Sequence, residues 1–501
     1  MASIKQFFSK YKFHLFCILV AFFMLLFTSK NSFFYTFNDW EDANAFFTMG
    51  KSVVHGLVPY KDLFEQKGPL LYLIYSLGYL ISNKTFHGVF IIEVILFSIF
   101  LFYNHKIIKF FLDEKYSFII LPILTLIITT SKSFVHGGSC EEYCFPLFSI
   151  SFYYFIKYFI DNKLTNKEVI LNGLLAGCVL LMKYTSLGFW IGFVILIFID
   201  FLRKRDVIEA FKFCFQFLVG FFIPFLVTII IFYLLGGLND FIWDYFIINI
   251  TAYGPFNSFN VTTMLLIFFY LVGAGGLLFC ITGFIMPFFI IPIKGMESRL
   301  KINIVGLFLT TIFFIIICLK DYIYYILPVA IFLPISIIGF IFLVKKNDYP
   351  IEKYMFIIIF IICLVLDFLN ANYREDMLKS KDEYIQFKYA NYINKFDDPT
   401  LVNMTSLDVG IYTITGIVPN TKFFELQNIN YDRFSDNIDE LNDYALNKKV
   451  KFLVYSIEGN KYIIPDYVKN NYDLVYEDRY IYEHKIKYAK LYQLKEISSK
   501  E

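Results

Sequence analysis

Long apolar segments recur from the N-terminus to about residue 371, separated by short polar stretches. A helix needs roughly 17–25 mostly apolar residues to cross a bilayer. Candidate spans lie near residues 12–29, 87–104, 116–132, 143–160, 168–184, 186–202, 212–236, 263–286, 302–319, 323–344 and 354–371. The pattern therefore predicts a polytopic α-helical membrane protein, with about 11 transmembrane helices in a domain over residues 1–371.

The first outer loop, residues 30–86, carries helical patterns of its own. Phe46, Met49 and two following valines recur at helical spacing, which predicts an amphipathic helix opened by Asp42. The apolar stretch Pro69–Ser82 is too short to span comfortably and suits an interfacial or re-entrant helix. Because long ordered loops are usually functional, we expect chemistry in this loop.

The composition of the chain changes near residue 372, where hydrophobicity falls and charged residues are interspersed among the apolar ones. A helical pattern occupies Ser435–Leu446. Short runs typical of β-strands lie at Thr400–Asn403, Lys451–Tyr455, Asp473–Tyr476 and Ala489–Leu494. Strands alternating with helices predict a small α/β domain over residues 372–501.

Composition supports the membrane assignment and narrows the remaining classes of protein. Hydrophobic residues make up 58% of the chain, above the roughly 45–50% of soluble domains, so the excess should face lipid. A net charge of +2 argues against a nucleic-acid partner, which requires a clustered basic face. The eight cysteines include no C-x-x-C, and no disulfide scaffold is implied.

Basic residues indicate which side of the membrane each loop occupies, because cytoplasmic loops are enriched in Lys and Arg. With a cytoplasmic N-terminus, every predicted inner loop is basic, through Lys106, Lys109 and Lys115; Lys163 and Lys167; Arg203, Lys204 and Arg205; Lys294, Arg299 and Lys301; and Lys345, Lys346 and Lys353. An odd number of spans then makes the C-terminal domain extracytoplasmic.

Three acids, Asp39, Glu41 and Asp42, directly follow the first membrane exit. They could bind a divalent cation, act as bases, or belong to a solvated loop. Lys67 precedes a Gly-Pro pair and the short apolar helix. At the headgroup level this cation could meet a lipid phosphate.

The loop resembles a known family in the strings D-x-x-x-F-x-x-x-G and G-x-x-P-Y-x-D-x-F-x-x-K-G-P-L-L-Y. It is similar to the first external loop of bacterial GT-C-fold glycosyltransferases, the group of protein O-mannosyltransferases and aminoarabinose transferases. The resemblance implies a polyprenyl-phosphate sugar donor and a catalytic acid in this loop. Asp42 matches that acid by its spacing to Gly50, with Asp39 and Glu41 as neighbours; Asp62 and Lys67 match the second half of the motif.

Two further segments are similar to the same family. The stretch His136–Pro146 resembles its second outer loop and contains Glu141 and Glu142. Lys183 resembles a lysine that the family carries at the outer end of a span. The alternative interpretation is that Lys183 only extends its ammonium to the membrane interface. Tyr324 stands where relatives often carry His, so no His role is transferred. His136, Cys140, Glu141 and Cys144 match no standard zinc spacing.

The sequence thus predicts a glycosyltransferase that moves a sugar from a polyprenyl phosphate to a cell-envelope acceptor at the outer face. Asp42 would be the general base, Lys67 and Lys183 would bind the donor phosphate, and Asp39, Glu41, Asp62, Glu141 and Glu142 would be supporting acids. Expected partners are the bilayer, the lipid-linked sugar, and a teichoic acid, another envelope glycan or a protein as acceptor. No protein-bound metal is predicted, although a divalent cation is possible. The alternatives are a flippase for lipid-linked glycans and a non-catalytic partner in an envelope-polysaccharide complex.

Overall fold

The computed structural model describes residues 2–253, 260–344, 353–459, 462–483 and 485–495. Lys345 and Lys346 of one predicted basic loop lie outside these residues. The chain forms two compact units. The first comprises residues 1–34, 91–228 and 257–374, and the second comprises 35–90, 229–256 and 375–501.

Helices account for the apolar segments of the chain. They run over Ala2–Thr28, His87–Ile108, Ser117–Thr129, Phe145–Asp161, Asn166–Leu180, Gly188–Arg203, Val207–Leu234, Val261–Gly275, Leu277–Phe289, Ser298–Ile316, Leu333–Val344 and Lys353–Asn370. A 3₁₀ segment, Ile323–Phe332, precedes one of them. Each of the eleven predicted spans falls on a helix.

Six helices in the described residues are long and apolar enough to cross a membrane, and a bent pair, Val261–Gly275 with Leu277–Phe289, would make seven. The two halves of that pair meet at 109°. The protein is therefore a multi-pass helical membrane protein, while the count of eleven spans stays a prediction.

The helix Val207–Leu234 shows why lipid must cover these surfaces. Ile208, Phe215 and Ile230 leave 81%, 68% and 57% of their areas exposed. An aqueous solvent would penalise so much apolar area on one helix. A helix pairs most of its backbone groups within itself, which a segment surrounded by hydrocarbon requires.

The second unit combines the first outer loop with the C-terminal region. Its helices are Glu41–Val54, which we call the loop helix, and Pro69–Ile81, Leu238–Asp240, Ile385–Ile393, Ile411–Thr415, Asp436–Leu446 and Asp466–Asn471. Two π-helical segments, Phe241–Ile247 and Asn249–Tyr253, belong to the same unit. Sequence periodicity did not predict these π-helical segments.

All four predicted strands are present, as β1 (Leu401–Asn403), β2 (Phe452–Glu458), β3 (Tyr472–Tyr482) and β4 (Lys485–Leu494). They form one sheet in the order β1-β2-β4-β3. β1 runs parallel to β2, and the other pairs are antiparallel. The predicted helix at residues 435–446 is also confirmed, as Asp436–Leu446.

Phe64 joins the outer loop to the core of the C-terminal region. Its ring lies 5.2 Å from that of Phe423 and 5.3 Å from that of Phe434. Its amide donates to the Lys422 carbonyl at 2.9 Å. The loop and the C-terminal region therefore share one hydrophobic core, and the predicted division of the chain at 371/372 stays a prediction.

Candidate functional site

The start of the loop helix presents the three predicted acids. The helix begins at Glu41, one residue before the predicted start, so that Asp42 is its second residue. Asp39 and Asp42 are both half-buried. Carboxylates in a first turn are favoured by the partial positive charge of the helix N-terminus. Trp40, at the N-cap, supplies no side-chain hydrogen bond that caps the helix.

Glu41 is held by residues from the other end of the chain. Its carboxylate lies 2.6 Å from the Lys487 ammonium, and its backbone N–H donates to the Tyr482 hydroxyl at 3.2 Å. The pKa of Glu41 is raised to about 7, mainly by burial; the Lys487 ammonium opposes this rise, and the Glu483 and Asp42 charges add to it. Glu41 is thus an ion-paired acid that titrates near neutrality.

Sequence reasoning missed Tyr482, Glu483 and Lys487, which lie on the hairpin formed by β3 and β4. Glu483 at its turn interacts electrostatically with both Asp42 and Asp39. No local pattern could have revealed this proximity, because it depends on how the C-terminal region folds against the loop. The acid cluster therefore has a fourth member.

A polar stripe on the loop helix faces the segment that follows β1. Its members are spaced about one turn apart and each contacts one residue of that segment. Asn44 Oδ1 accepts from the Thr413 hydroxyl, the Thr48 hydroxyl donates to Asp408 Oδ2, and the Lys51 ammonium donates to the Tyr412 carbonyl, each at 2.7 Å. Burial lowers the pKa of Lys51 to about 7, although the Asp408 charge opposes this.

Asp408 is the centre of the network on the C-terminal side. Its carboxylate accepts from the Gly410 amide at 2.8 Å. Its own amide donates to Glu425 Oε2 at 2.6 Å. Burial raises the pKa of both carboxyl groups, well above the usual range for Glu425. This protein-internal network fixes the inner face of the loop helix.

The second half of the loop motif forms a tight structural turn. Asp62 accepts from the Val58 amide at 2.7 Å, so it closes the turn. Glu65 accepts from the Lys67 amide at 2.8 Å and from the Tyr72 hydroxyl. The Lys67 ammonium lies 3.9 Å from Glu65 Oε1 and 5.5 Å from the centre of the Phe46 ring. Lys67 is half-buried, with 19% of its side chain exposed.

In the first unit, Lys183 and Glu141 form a buried ion pair. The Lys183 ammonium also lies 3.3 Å from the centre of the Tyr325 ring and 5.4 Å from the centre of the Tyr324 ring. The positive charge of the predicted lysine is therefore balanced by a carboxylate and stabilised by an aromatic face. This pairing between two predicted site residues could not be derived from their separation in sequence.

Glu142 forms hydrogen bonds with residues other than those that contact Glu141. Its Oε2 accepts from the Gly138 amide at 2.8 Å, and its own amide donates to Ser139 Oγ at 3.2 Å. Burial and the neighbouring Glu93 carboxyl raise the pKa of Glu142 well above its usual range. Glu93 in turn accepts from Ser29 at 2.8 Å and Asn31 at 3.1 Å.

Among the residues that the structure describes, no group of three His, Cys, Asp or Glu side chains is arranged to hold a metal ion. The His136 ring stacks on Tyr373, with centres 4.1 Å apart. In the loop His136–Pro146, which is rich in potential metal ligands, Glu141 forms an ion pair and Glu142 accepts from a backbone amide.

Comparisons with known proteins fit this architecture. Residues 3–338 match a family model described as "Putative competence-induced protein Ccs4 N-terminal domain". No curated protein matches the chain in sequence. Solved structures that resemble it along almost the whole length include two of ArnT. ArnT from Cupriavidus metallidurans in the apo state has a TM-score of 0.59 at 10% identity, covering 98% of both chains.

The second is ArnT from the same organism bound to undecaprenyl phosphate. It has a TM-score of 0.58 at 11% identity and covers 95% of this chain and 97% of ArnT. Similarity at this level of identity establishes the fold. The predicted GT-C fold is therefore confirmed.

Proposed function

The chain belongs to the family described as putative competence-induced protein Ccs4 N-terminal domain, and from its GT-C fold we propose that it transfers a sugar from a polyprenyl-phosphate donor to a cell-envelope acceptor. The observation that carries this proposal is the full-length likeness to ArnT, of which one structure binds undecaprenyl phosphate. The N-terminus would be cytoplasmic and the reaction would occur at the outer face.

Asp42 would act as the general base. Transfer breaks the bond between the anomeric carbon and the donor phosphate, and the acceptor hydroxyl must lose a proton as the new glycosidic bond forms. A carboxylate within hydrogen-bond reach can take that proton. Asp42 is half-buried at the start of a helix that is fixed along its inner face, so its backbone is preorganised. The acids Asp39 and Glu41 would tune the local charge.

Lys67 and Lys183 are our two candidates for stabilising phosphate charge, each within its own unit. An ammonium carries three donors, and the Glu141 contact uses one of those on Lys183. A phosphate at Lys183 would share the ammonium with the Glu141 carboxylate or displace that carboxylate. Lys67 lies on a turn closed by Asp62 and Glu65. Charge-assisted contacts of this kind are among the stronger hydrogen bonds in proteins.

A flippase is less well supported than a transferase. Its pathway should show ionisable groups at membrane depth that serve the passing substrate. Here the two mid-span acids hold protein partners: Glu93 accepts from Ser29 and Asn31, and Asp367 accepts from Thr129 at 2.6 Å. These contacts favour a structural role for both acids.

A teichoic acid, another envelope glycan or a protein would serve as acceptor.

The test is Asp42→Asn in the full-length protein reconstituted in vesicles. A panel of undecaprenyl-phosphate-linked hexoses and pentoses is supplied with bacterial envelope extract, and release of undecaprenyl phosphate is measured. General-base catalysis contributes about 10²–10⁴-fold, so we expect a loss in that range with undecaprenyl phosphate binding retained.

Asp39→Asn and Glu41→Gln should each lose less than Asp42→Asn. Asp466→Asn, at an acid outside the loop whose side chain is 90% exposed, serves as the control and should match the parent protein. Near-normal turnover by Asp42→Asn would remove the assigned base. If Asp39→Asn were inactive instead, the catalytic register would shift by three residues.

A further inference from the structure

The N-cap residue of the loop helix provides no side-chain cap. The first amides of a helix have no partner within the helix, and Ser, Thr, Asp or Asn at the N-cap usually satisfies one of them. Trp40 occupies that position and offers no such oxygen. The Tyr482 hydroxyl accepts from the Glu41 amide instead. A residue of the C-terminal hairpin thus caps the helix that carries Asp42.

The same hairpin also holds the first side chain of the helix. Lys487 pairs with the Glu41 carboxylate at 2.6 Å, and its ammonium lies 4.2 Å from the centre of the Tyr482 ring. Tyr482 pairs with Lys485 across the hairpin, so Lys487, two residues along β4, shares its face as a diagonal neighbour. Glu41, Lys487 and Tyr482 therefore close a triangle of contacts.

This triangle is largely withdrawn from solvent. Side-chain exposure is 14% for Glu41 and 13% for Lys487, which distinguishes the pair from an ordinary surface salt bridge. Exposed pairs contribute little, whereas breaking a desolvated pair leaves a charge without compensation. Removing Lys487 should therefore disturb the helix start locally.

We propose that Tyr482 and Lys487 are positioning residues of the transferase site, and that the C-terminal hairpin holds the start of the loop helix so that Asp42 keeps its place. The proposal rests on the proposed role of Asp42. It gives the C-terminal region a part in the reaction that neither the loop motif nor the family description assigns.

The experiment compares Lys487→Met with Lys490→Met in the full-length protein. Lys490 lies on the same strand and pairs with Glu477 at 3.0 Å, at a similar exposure of 19%, but it forms no hydrogen bond or ion pair with the loop among the described residues. A displacement of roughly 1 Å in a positioned group can reduce rate about 10²-fold. We expect Lys487→Met to lower kcat by about 10- to 100-fold with the donor KM unchanged, and Lys490→Met to match the parent protein.

Two conservative variants guard against a simple folding defect. Lys487→Arg keeps the cation and should recover most of the lost kcat. Tyr482→Phe keeps the ring beside Lys487 but removes the hydroxyl that caps Glu41, so kcat should fall while the melting temperature changes little. Undecaprenyl phosphate binding is measured for every variant as a check on the folded state.

The outcomes separate this inference from the proposed function. If Lys487→Met and Tyr482→Phe keep the parent kcat while Asp42→Asn is inactive, the positioning role is wrong and the transferase assignment stands. If Asp42→Asn is active, Asp42 is not the general base and this proposal fails with that assignment, whereas the transferase function fails only if the parent protein releases no undecaprenyl phosphate from any donor. Equal losses in Lys487→Met and Lys490→Met, or no recovery with Lys487→Arg, would show a general effect on the domain and overturn the proposal.

Discussion

Two ionisable groups of opposite charge, the half-buried Glu41 and the fully buried Lys51, lie near the two ends of the loop helix. Burial disfavours the charged form of either group. It raises the pKa of Glu41 from 4.5 to about 7 and lowers that of Lys51 from 10.5 to about 7. Lys487 and Asp408 moderate these effects. The loop helix therefore carries two groups whose charge changes close to neutral pH.

Lys51 allows a direct test through stability. Between about pH 7 and 10.5 the unfolded chain holds a proton on Lys51 that the folded protein lacks. The free energy of unfolding should therefore rise with pH in this window, by about 1.4 kcal/mol per pH unit for one such group. Lys51→Met removes the group, so that increment should disappear from melting curves recorded in detergent at pH 7 to 9.5.

Lys61→Met provides the comparison, because Lys61 lies on the same loop but is exposed. Its pH dependence should match that of the parent protein. If Lys51→Met keeps the parent slope, the folded protein binds a proton at Lys51, and the burial argument is wrong for this lysine.

At the scale of elements, the sequence predicted what periodicity can encode. The loop helix and Pro69–Ile81 followed from apolar spacing, and the four strands followed from short β-type runs. The loop helix begins one residue before the predicted start, and the Tyr482 hydroxyl, which accepts from its first amide, comes from a distant part of the sequence. Partners such as Lys487 for Glu41, or Glu141 for Lys183, depend on tertiary packing and left no sequence signal.

Gly410 shows how closely two elements approach. It adopts φ +95°, and a Cβ there would lie 3.0 Å from Asn44 Oδ1 of the loop helix and would overlap the Phe37 ring. Gly410→Ala should therefore combine backbone strain of about 1–3 kcal/mol with displacement of the loop helix. We expect a clear fall in melting temperature and a loss of transfer.

Gly416→Ala isolates the backbone strain. Gly416 has φ +76°, but a Cβ would meet nothing within 4 Å. Its melting temperature should fall less than that of Gly410→Ala, and transfer should persist. Equal effects of the two substitutions on both measurements would mean that the contact with the loop helix contributes nothing.

On the scale of the whole molecule, hydropathy located the helical segments but could not reveal how the chain divides. The second unit is assembled from three stretches that are distant in sequence, including the π-helical residues between Phe241 and Tyr253. Its core joins Phe64 to Phe423 and Phe434. Pairings over such separations arise from packing of the folded chain, and a pattern read along one segment does not contain them.

This shared core leads to a prediction about membrane topology. A unit with an open sheet and polar loops cannot lie in hydrocarbon, because its backbone groups would lose their partners. The first outer loop and the C-terminal region should therefore be on the same side of the membrane, and the basic residues of the predicted inner loops predict that this side is outside the cell. Cysteines introduced at the exposed Lys61 and Asp466 should react with a membrane-impermeant maleimide in intact cells.

Lys204→Cys, in a predicted cytoplasmic loop, should react only after permeabilisation, and the parent protein measures the background from its native cysteines. Reaction of Lys61→Cys and Asp466→Cys only after permeabilisation would reverse the orientation and place the candidate base away from an external acceptor. Reaction of one but not the other in intact cells would contradict the shared core itself. Concordant labelling of both sites, opposite to Lys204→Cys, is the result that a transferase acting on the cell envelope requires.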